Sequence, residues 1–173
     1  MKNDKSIGLD FIVDKLTNSL ENVVTGDSFK TEVSVLTKSE LKLVTKKNGW
    51  VFDWRKELKE PSRDIYKLTI NGNPSVIQGL MSIEVKEDHV FMHLVESAPY
   101  NKGKSKMYSG VPVNLVAFAC KVSFQRGHEG NVSFISKTQL IDHYEKTLGA
   151  FHFGGRIMII ETVAALKLID RYF

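Results

Sequence analysis

The sequence predicts an α+β fold in which a mixed, mostly antiparallel twisted sheet is flanked by helices. Three strand patterns in succession, over residues 65–70, 76–85 and 89–96, indicate an antiparallel meander. A strand, a helix and a further strand follow over residues 132–160. A meander that is followed by a βαβ pattern is typical of an α+β protein with a mixed sheet.

Length and composition favour one globular domain. The 173 residues, of which 42% are hydrophobic and 25% charged, suffice for a single core. We expect one domain over residues 1–173, with an N-terminal helical extension over residues 1–28 and a C-terminal helix over residues 161–173. No apolar run approaches the ~20 residues of a membrane span, and no signal-peptide pattern is present. A cytoplasmic protein without membrane association is therefore expected.

Net charge and cysteine content limit which ligands and which cross-links the protein is expected to have. The net charge of +4 suits an anionic ligand such as a nucleotide cofactor, but it is too small to indicate nucleic acid. Trp50 and Trp54 stand among basic residues and could form a nucleic-acid patch, although a corner whose aromatic side chains fill the core is the simpler interpretation. The single cysteine, Cys120, excludes an internal disulfide. No histidine or cysteine spacing indicates a metal site.

The first part of the chain is expected to contain two helices around one strand. Apolar residues at spacings of three and four predict a helix over residues 7–23, namely Leu9, Ile12, Val13, Leu16 and Leu20. Alternation over residues 31–36 predicts a half-buried strand. Thr37 and Glu40 form a capping-box pattern, which predicts a short helix through Lys47.

The second half of the chain begins with a loop over residues 97–110. Pro112 suits the first turn of the next helix, over residues 113–126, which is apolar nearly all round and is therefore expected to lie buried across the sheet. Its Cys120 is expected to be an inert buried thiol.

Two strands and two helices complete the chain. A short buried strand over residues 132–135 precedes a helix over residues 137–148, for which Ser136 and Gln139 supply a capping box and Gly149 the stop. A last strand over residues 157–160 precedes a final helix over residues 163–172, capped by Thr162.

The stretch at residues 133–150, which contains Tyr-Glu-Lys-Thr-Leu-Gly, resembles the end of a GCN5-related N-acetyltransferase, a member of the GNAT superfamily. From Thr31 to Ile160 the order of elements is similar to this acyl-CoA N-acyltransferase-like fold. The resemblance implies that the protein transfers an acetyl group from acetyl-CoA to a primary amine, which the sequence does not identify, and that it needs no metal.

The resemblance also implies catalytic residues. In the family the tyrosine at the position of Tyr144 reaches the sulfur of acetyl-CoA, where it would protonate the departing thiolate. A carboxylate on the fourth strand of the fold often acts as the base, so Glu96 is the first candidate, His93 the second and Glu84 the third. Residues 93 and 96 face opposite sides of a regular strand, and only a bulge would bring both to one cleft.

The family binds the pyrophosphate of the coenzyme at a glycine-rich loop before a helix. Residues 107–112 match that loop best, and Pro112 removes one N–H donor, which Lys102, Lys104 and Lys106 could replace as charges unless they are simply solvated. A rival alignment uses residues 100–104. The cofactor-binding residues that the resemblance implies are Val95, Ser97, Lys104, Lys106, Gly110, Val111, Val113 and Thr138.

Two classes of function remain open besides nucleic-acid binding through the region of Trp50 and Trp54. One is an active acyl-CoA-dependent N-acyltransferase. The other is a non-catalytic GNAT-like module that binds a ligand or another protein, which the degenerate glycine loop supports. The N-terminal helix could cover the sheet or form a homodimer contact.

Overall fold

The computed structural model describes residues 8–16 and 19–172, except for the side chain of Tyr172. Its strands are β1 (Ser19–Asn22), β2 (Ser28–Val35), β3 (Asp64–Ile70), β4 (Gly79–Val85), β5 (Val90–Ser97), β6 (Tyr108–Ser109), β7 (Val132–Ile135), β8 (Phe151–Gly154) and β9 (Ile157–Ile160). Its α-helices are α1 (Trp54–Lys59), α2 (Val111–Gln125), α3 (Ile141–Leu148) and α4 (Thr162–Tyr172). Short 3₁₀ turns occupy Lys38–Leu43, Lys46–Asn48, Pro99–Asn101 and Thr138–Leu140.

The nine described strands form one sheet in the order β6-β1-β2-β3-β4-β5-β7-β9-β8. Neighbouring strands are antiparallel except for β5 and β7, which run parallel. The predicted mixed, mostly antiparallel sheet flanked by helices is therefore confirmed. Strands β7 and β9 have the predicted bounds, and β4 begins at Gly79 instead of Val76.

Apolar side chains cover both faces of the sheet. Helix α2 lies across one face with Pro112 in its first turn, and α4 packs against it. Cys120 is fully buried there, and burial raises the pKa of its thiol to about 12, so the prediction of a buried thiol is confirmed. On the opposite face Trp50 and Trp54 pack in a second apolar cluster with Leu80. Both tryptophan side chains are therefore part of the hydrophobic core.

The predicted N-terminal helix is wrong for the residues that the structure describes. Residues 8–16 form no helix and contain one bridge residue, Leu9, and residues 19–22 form β1, whereas residues 1–7, 17 and 18 lie outside the described part. Leu9, Phe11 and Val13 alternate inward with a period of two, while Asp10 and Ile12 point outward. The tertiary structure selects this alternation because it buries three apolar side chains.

Two further helical predictions need correction. The segment over residues 37–47 forms two 3₁₀ turns, although Thr37 and Glu40 interact as expected. The helix predicted from residue 137 starts as a 3₁₀ turn and becomes α-helical at Ile141. Ser136 does not form the predicted cap, since its hydroxyl donates to the Lys137 carbonyl. Strands β1, β6 and β8 were not predicted: residues 19–22 fell within the predicted N-terminal helix, residues 108–109 within the predicted loop, and residues 151–154 between two predicted elements.

Gly79 provides a stability test of the packing of α2 on the sheet. A Cβ atom at this position would lie 2.5 Å from Cγ1 of Val111, in the first turn of α2. We expect Gly79→Ala to lower the free energy of unfolding by about 1–3 kcal/mol in chemical denaturation. The double variant with Val111→Ala should lose less than the sum of the two single variants, because the clashing methyl group is gone. Strict additivity would show that this contact is not the cause.

Candidate functional site

The parallel strands β5 and β7 separate after a short paired region. Residues 90–92 of β5 pair with residues 132–134 of β7, yet β5 continues to Ser97. The Ala98 N–H donates to the Gln78 carbonyl on the β4 side. Because N–H groups alternate in direction along a strand, those of Val95 and Ser97 point away from β4, toward the opening. This opening is the feature around which the candidate site is built.

A bulge in β5 reorients its last residues. Ile83 pairs with Met92 and Ser82 pairs with Leu94, so His93 is the extra residue of the bulge. The bulge shifts the side-chain alternation by one position. His93 and Glu96 therefore lie on the same face of the sheet, as the sequence allowed only if a bulge was present.

A cavity of about 660 Å³ opens at the carboxyl end of β5, and we call it the β5 cleft. It is lined by the end of β5, the start of α2, the loop before α2, Lys137, residues 51–52 and the N-terminal residues 10–12 and 14. Five predicted site residues line this cleft, namely Val95, Glu96, Ser97, Lys106 and Val111.

The other predicted site residues do not line the β5 cleft. Thr138 follows Lys137, which does line it, and Gly110 precedes Val111. Val113 is fully buried in the core, and Lys104 is exposed on the loop. His93 lies further back on β5.

The carboxylate of Glu96 is buried and its hydrogen-bonding capacity is filled. Oε1 accepts from the Phe52 N–H at 3.2 Å and from Nε1 of Trp54 at 2.9 Å. Oε2 accepts from the Val51 N–H at 2.7 Å and from Nζ of Lys102 at 2.6 Å. Two carboxylate oxygens provide about four acceptor positions, all of which are used here. A base role for Glu96 stays a prediction, and it requires Lys102 to release Oε2.

His93 and Glu84, the other candidate bases, bind each other. Nε2 of His93 lies 2.8 Å from Oε1 of Glu84, and Lys86 also binds the Glu84 carboxylate. Burial lowers the pKa of His93 below its ordinary 6.5, and the hydrogen bond to Glu84 opposes this shift. Lys86 and His93 lower the pKa of Glu84.

Tyr144 is fully buried on α3 and its hydroxyl faces the N-terminal residues. The hydroxyl donates toward the Phe11 carbonyl at 2.7 Å and lies 3.3 Å from the Leu9 carbonyl. Its ring packs against the rings of Phe11 and Phe134. Burial raises the pKa of Tyr144 above its ordinary 10.0, so the hydroxyl is a proton donor at neutral pH.

Residues 8–16, which we call the N-terminal segment, run along the opening between β5 and β7. The Leu9 N–H donates to the Ile135 carbonyl at 2.7 Å, and the Lys137 N–H donates to the Leu9 carbonyl at 3.0 Å. The sequence pattern did not lead to a prediction of this contribution. The alternation of Leu9, Phe11 and Val13 was the signal that could have revealed it.

Asp14 of the N-terminal segment sits at the start of α2. Its Oδ1 accepts from the Gly110 N–H at 2.9 Å, and its Oδ2 binds Nζ of Lys106 at 2.7 Å. Gly110 has a left-handed backbone with φ of 99°, and a Cβ there would lie 2.8 Å from the Ser19 carbonyl oxygen. The Gly110 amide and Lys106 therefore form an anion-binding position, and a carboxylate of the same chain occupies it.

A larger depression, of about 790 Å³, lies over β7 and β9. Its lining includes Phe91, Ile135, Ile159 and Phe153 and none of the predicted site residues. Within residues 8–16 and 19–172, no group of three or more histidine, cysteine, aspartate or glutamate residues is arranged to hold a metal ion. Among the described helices, none combines the length and apolarity that crossing a membrane requires.

Three solved structures illustrate what this fold is similar to. Mutant forms of the spermidine/spermine N-acetyltransferase SpeG from Vibrio cholerae share 15% identity at a TM-score of 0.54, covering 80% of this chain and 98% of theirs. A mutant of the toxin AtaT, bound to the C-terminus of the antitoxin AtaR and to acetyl-CoA, shares 14% sequence identity at a TM-score of 0.53. The match covers 80% of this chain and 97% of that one. An acetyltransferase of the GNAT family from Staphylococcus aureus Mu50 shares 8% sequence identity at a TM-score of 0.51. The match covers 76% of this chain and 99% of that one.

These likenesses show that the chain has the fold of the GNAT acetyltransferases, as the sequence predicted. The sequence itself matches no protein-family model and no curated protein.

The Glu96 hydrogen bonds predict a large effect of a small substitution. Glu96→Gln places an NH₂ group among four donors and removes the ion pair with Lys102. We expect the free energy of unfolding to fall by about 2–4 kcal/mol in urea denaturation. The same change at the exposed Glu145 should cost less than about 0.5 kcal/mol. Equal effects at the two positions would contradict a structural role for Glu96.

His93 predicts a pH dependence of stability. Its pKa is lowered in the folded protein, so below pH 6.5 the unfolded chain binds the proton first and the free energy of unfolding falls as the pH falls. We expect a loss of at most about 1.4 kcal/mol per pH unit from this group. His93→Gln should flatten the dependence between about pH 7 and 5, a window above the titration of Glu84. Parallel pH profiles for the two proteins would contradict this assignment.

Proposed function

We propose that this protein is an acyl-CoA-dependent N-acyltransferase that moves an acetyl group to a primary amine. The observation that supports the proposal most is the opening between β5 and β7. The N-terminus of α2 lies at one end of this opening, and the Tyr144 hydroxyl on α3 also borders it. The GNAT fold supports the reaction class, and the acetyl-CoA in the AtaT complex supports the cosubstrate.

The coenzyme would bind along this opening. Its pyrophosphate would lie at the amides of Gly110 and Val111, with Lys106 as a countercharge, since helix N-termini bind anions. The N–H groups of Val95 and Ser97 point toward the opening, where they would polarise the thioester carbonyl. Thr138, at the first turn before α3, is the candidate for the pantetheine arm.

The chemistry would be direct transfer. The amine nitrogen attacks the thioester carbon, the carbon–sulfur bond breaks, and the coenzyme leaves as a thiolate that takes a proton from Tyr144. The amine loses a proton to Glu96, after Lys102 has left Oε2, or to water. His93 stays the second candidate base. Its hydrogen bond to Glu84 gives it a partner that would stabilise the imidazolium.

The charges that line the β5 cleft do not select the acceptor amine, because each of the three carboxylates there is paired with a lysine that lines the same cleft. The spermidine/spermine N-acetyltransferase among the similar structures makes polyamines the first compounds to test.

A non-catalytic module is the second candidate function. One specific observation favours it: Asp14 of the same chain occupies the Gly110 amide that the pyrophosphate would need. In that case the protein would keep the fold for binding without turnover.

Measurements of turnover and of acetyl-CoA binding in the wild type and in Tyr144→Phe test the proposal. We expect acetyl-CoA to bind and the thiol to be released when polyamines and other primary amines are added. Tyr144→Phe should reduce thiol release about 100-fold, near the lower end for a general acid, without weakening acetyl-CoA binding in calorimetry. Unchanged turnover would reject Tyr144 as the acid, and binding without turnover on any amine would favour the module.

Gly110 offers a binding test with a matched control. Gly110→Val adds side-chain atoms against the Ser19 carbonyl, next to the amide that would hold the pyrophosphate, so we expect at least about tenfold weaker acetyl-CoA binding. Gly72, in the turn after β3 and outside the β5 cleft, has a similar left-handed backbone with φ of 84° and open space around it, so Gly72→Val should bind nearly as the parent does. Equal losses would point to backbone strain and not to the amide position.

A further inference from the structure

We infer that the N-terminal segment is an intramolecular competitor of acyl-CoA, which must leave the opening between β5 and β7 before the coenzyme can bind. The inference rests on the proposed function and adds a regulatory state to it. Three parts of the segment occupy three positions that the coenzyme would need.

The first position is the anion site at the start of α2. The Asp14 carboxylate accepts from the Gly110 N–H and binds Lys106, the same donors that would meet a pyrophosphate. A carboxylate and a phosphate both bind the positive end of a helix dipole. Two anions cannot share this site, so Asp14 and the pyrophosphate exclude each other.

The second position is the free edge of β7. Leu9 bonds to the Ile135 carbonyl and the Lys137 amide in a parallel arrangement, as an added strand would. Gly8 lies so close that a Cβ atom there would stand 2.6 Å from the Lys137 nitrogen. Only glycine at this position allows the close backbone approach. The residues beside Thr138 are therefore covered by the segment.

The third position is the Tyr144 hydroxyl. It donates to the Phe11 carbonyl, so it has no proton available for a thiolate while the segment is in place. Displacement of Phe11 would release this hydroxyl at the same moment as the Gly110 amide. Binding of the coenzyme would therefore also free the Tyr144 hydroxyl to act as the proposed acid.

The buried side chains explain why the occupied state is the one observed. Leu9, Phe11 and Val13 point into the core and are 2%, 7% and 8% exposed. When the binding-competent state is a minor fraction, the apparent affinity for a ligand falls by that fraction. The wild-type protein is accordingly expected to bind acetyl-CoA weakly, and loosening the segment is expected to tighten binding.

Two substitutions at opposite ends of the segment test this inference in the full chain. Asp14→Ala removes the carboxylate from the anion site, and Gly8→Val forces the backbone away from Lys137. Each should tighten acetyl-CoA binding about tenfold in calorimetry, the scale of one charge-assisted hydrogen bond. Asp170→Ala, an equal charge change at an exposed position on α4, should bind as the wild type does.

Hydrogen exchange gives a second readout. The amides of Leu9 and Val13 donate to Ile135 and to Nε2 of His143 and should be protected without ligand. Saturating acetyl-CoA should accelerate their exchange. Wild-type binding that neither substitution tightens, or binding that leaves these amides protected, would overturn the inference and leave the proposed function standing. No binding by any of the proteins at millimolar acetyl-CoA would overturn both.

Discussion

The separation of β5 from β7 is the constraint on which the other features depend. Parallel strands that diverge leave backbone N–H and C=O groups unpaired, and buried backbone groups require partners. Here the pairing ends at Met92 and Phe134, just before the bulge at His93. The opening that results is bordered by β5, β7 and the N-terminus of α2, which brings an anion site, a strand edge and the Tyr144 hydroxyl together.

The buried carboxylate of Glu96 connects the segments on the other side of this opening through hydrogen bonds. Glu96 ties the corner at residues 51–54 to the end of β5 and also binds Lys102 of the loop before α2. An ionised group in this position is tolerable because every acceptor position is filled. The residue that the family resemblance marks as a base is thus also the link between the second apolar cluster and the β5 cleft.

Local signals were sufficient where one pattern dominates a segment. The uniform apolarity of α2 predicted a buried helix, and the compact apolar stretches gave β7 and β9 their bounds. Residues 8–16 fit two patterns: Leu9, Ile12 and Val13 fit a helix, whereas Leu9, Phe11 and Val13 fit a strand. Propensity cannot choose between them, since the choice depends on a strand edge far away in the sequence.

The sequence by itself determined six of the nine described strands, the buried helix α2 and the final helix α4, the resemblance to the acetyltransferase fold, and the identity of Tyr144, Glu96 and Gly110 as residues of interest. Only the tertiary structure decided what those residues touch. Partners such as Asp14 with Gly110, Phe11 with Tyr144 and Val51 with Glu96 are 96, 133 and 45 residues apart. Such contacts arise from packing of distant segments, and no local periodicity or spacing encodes them.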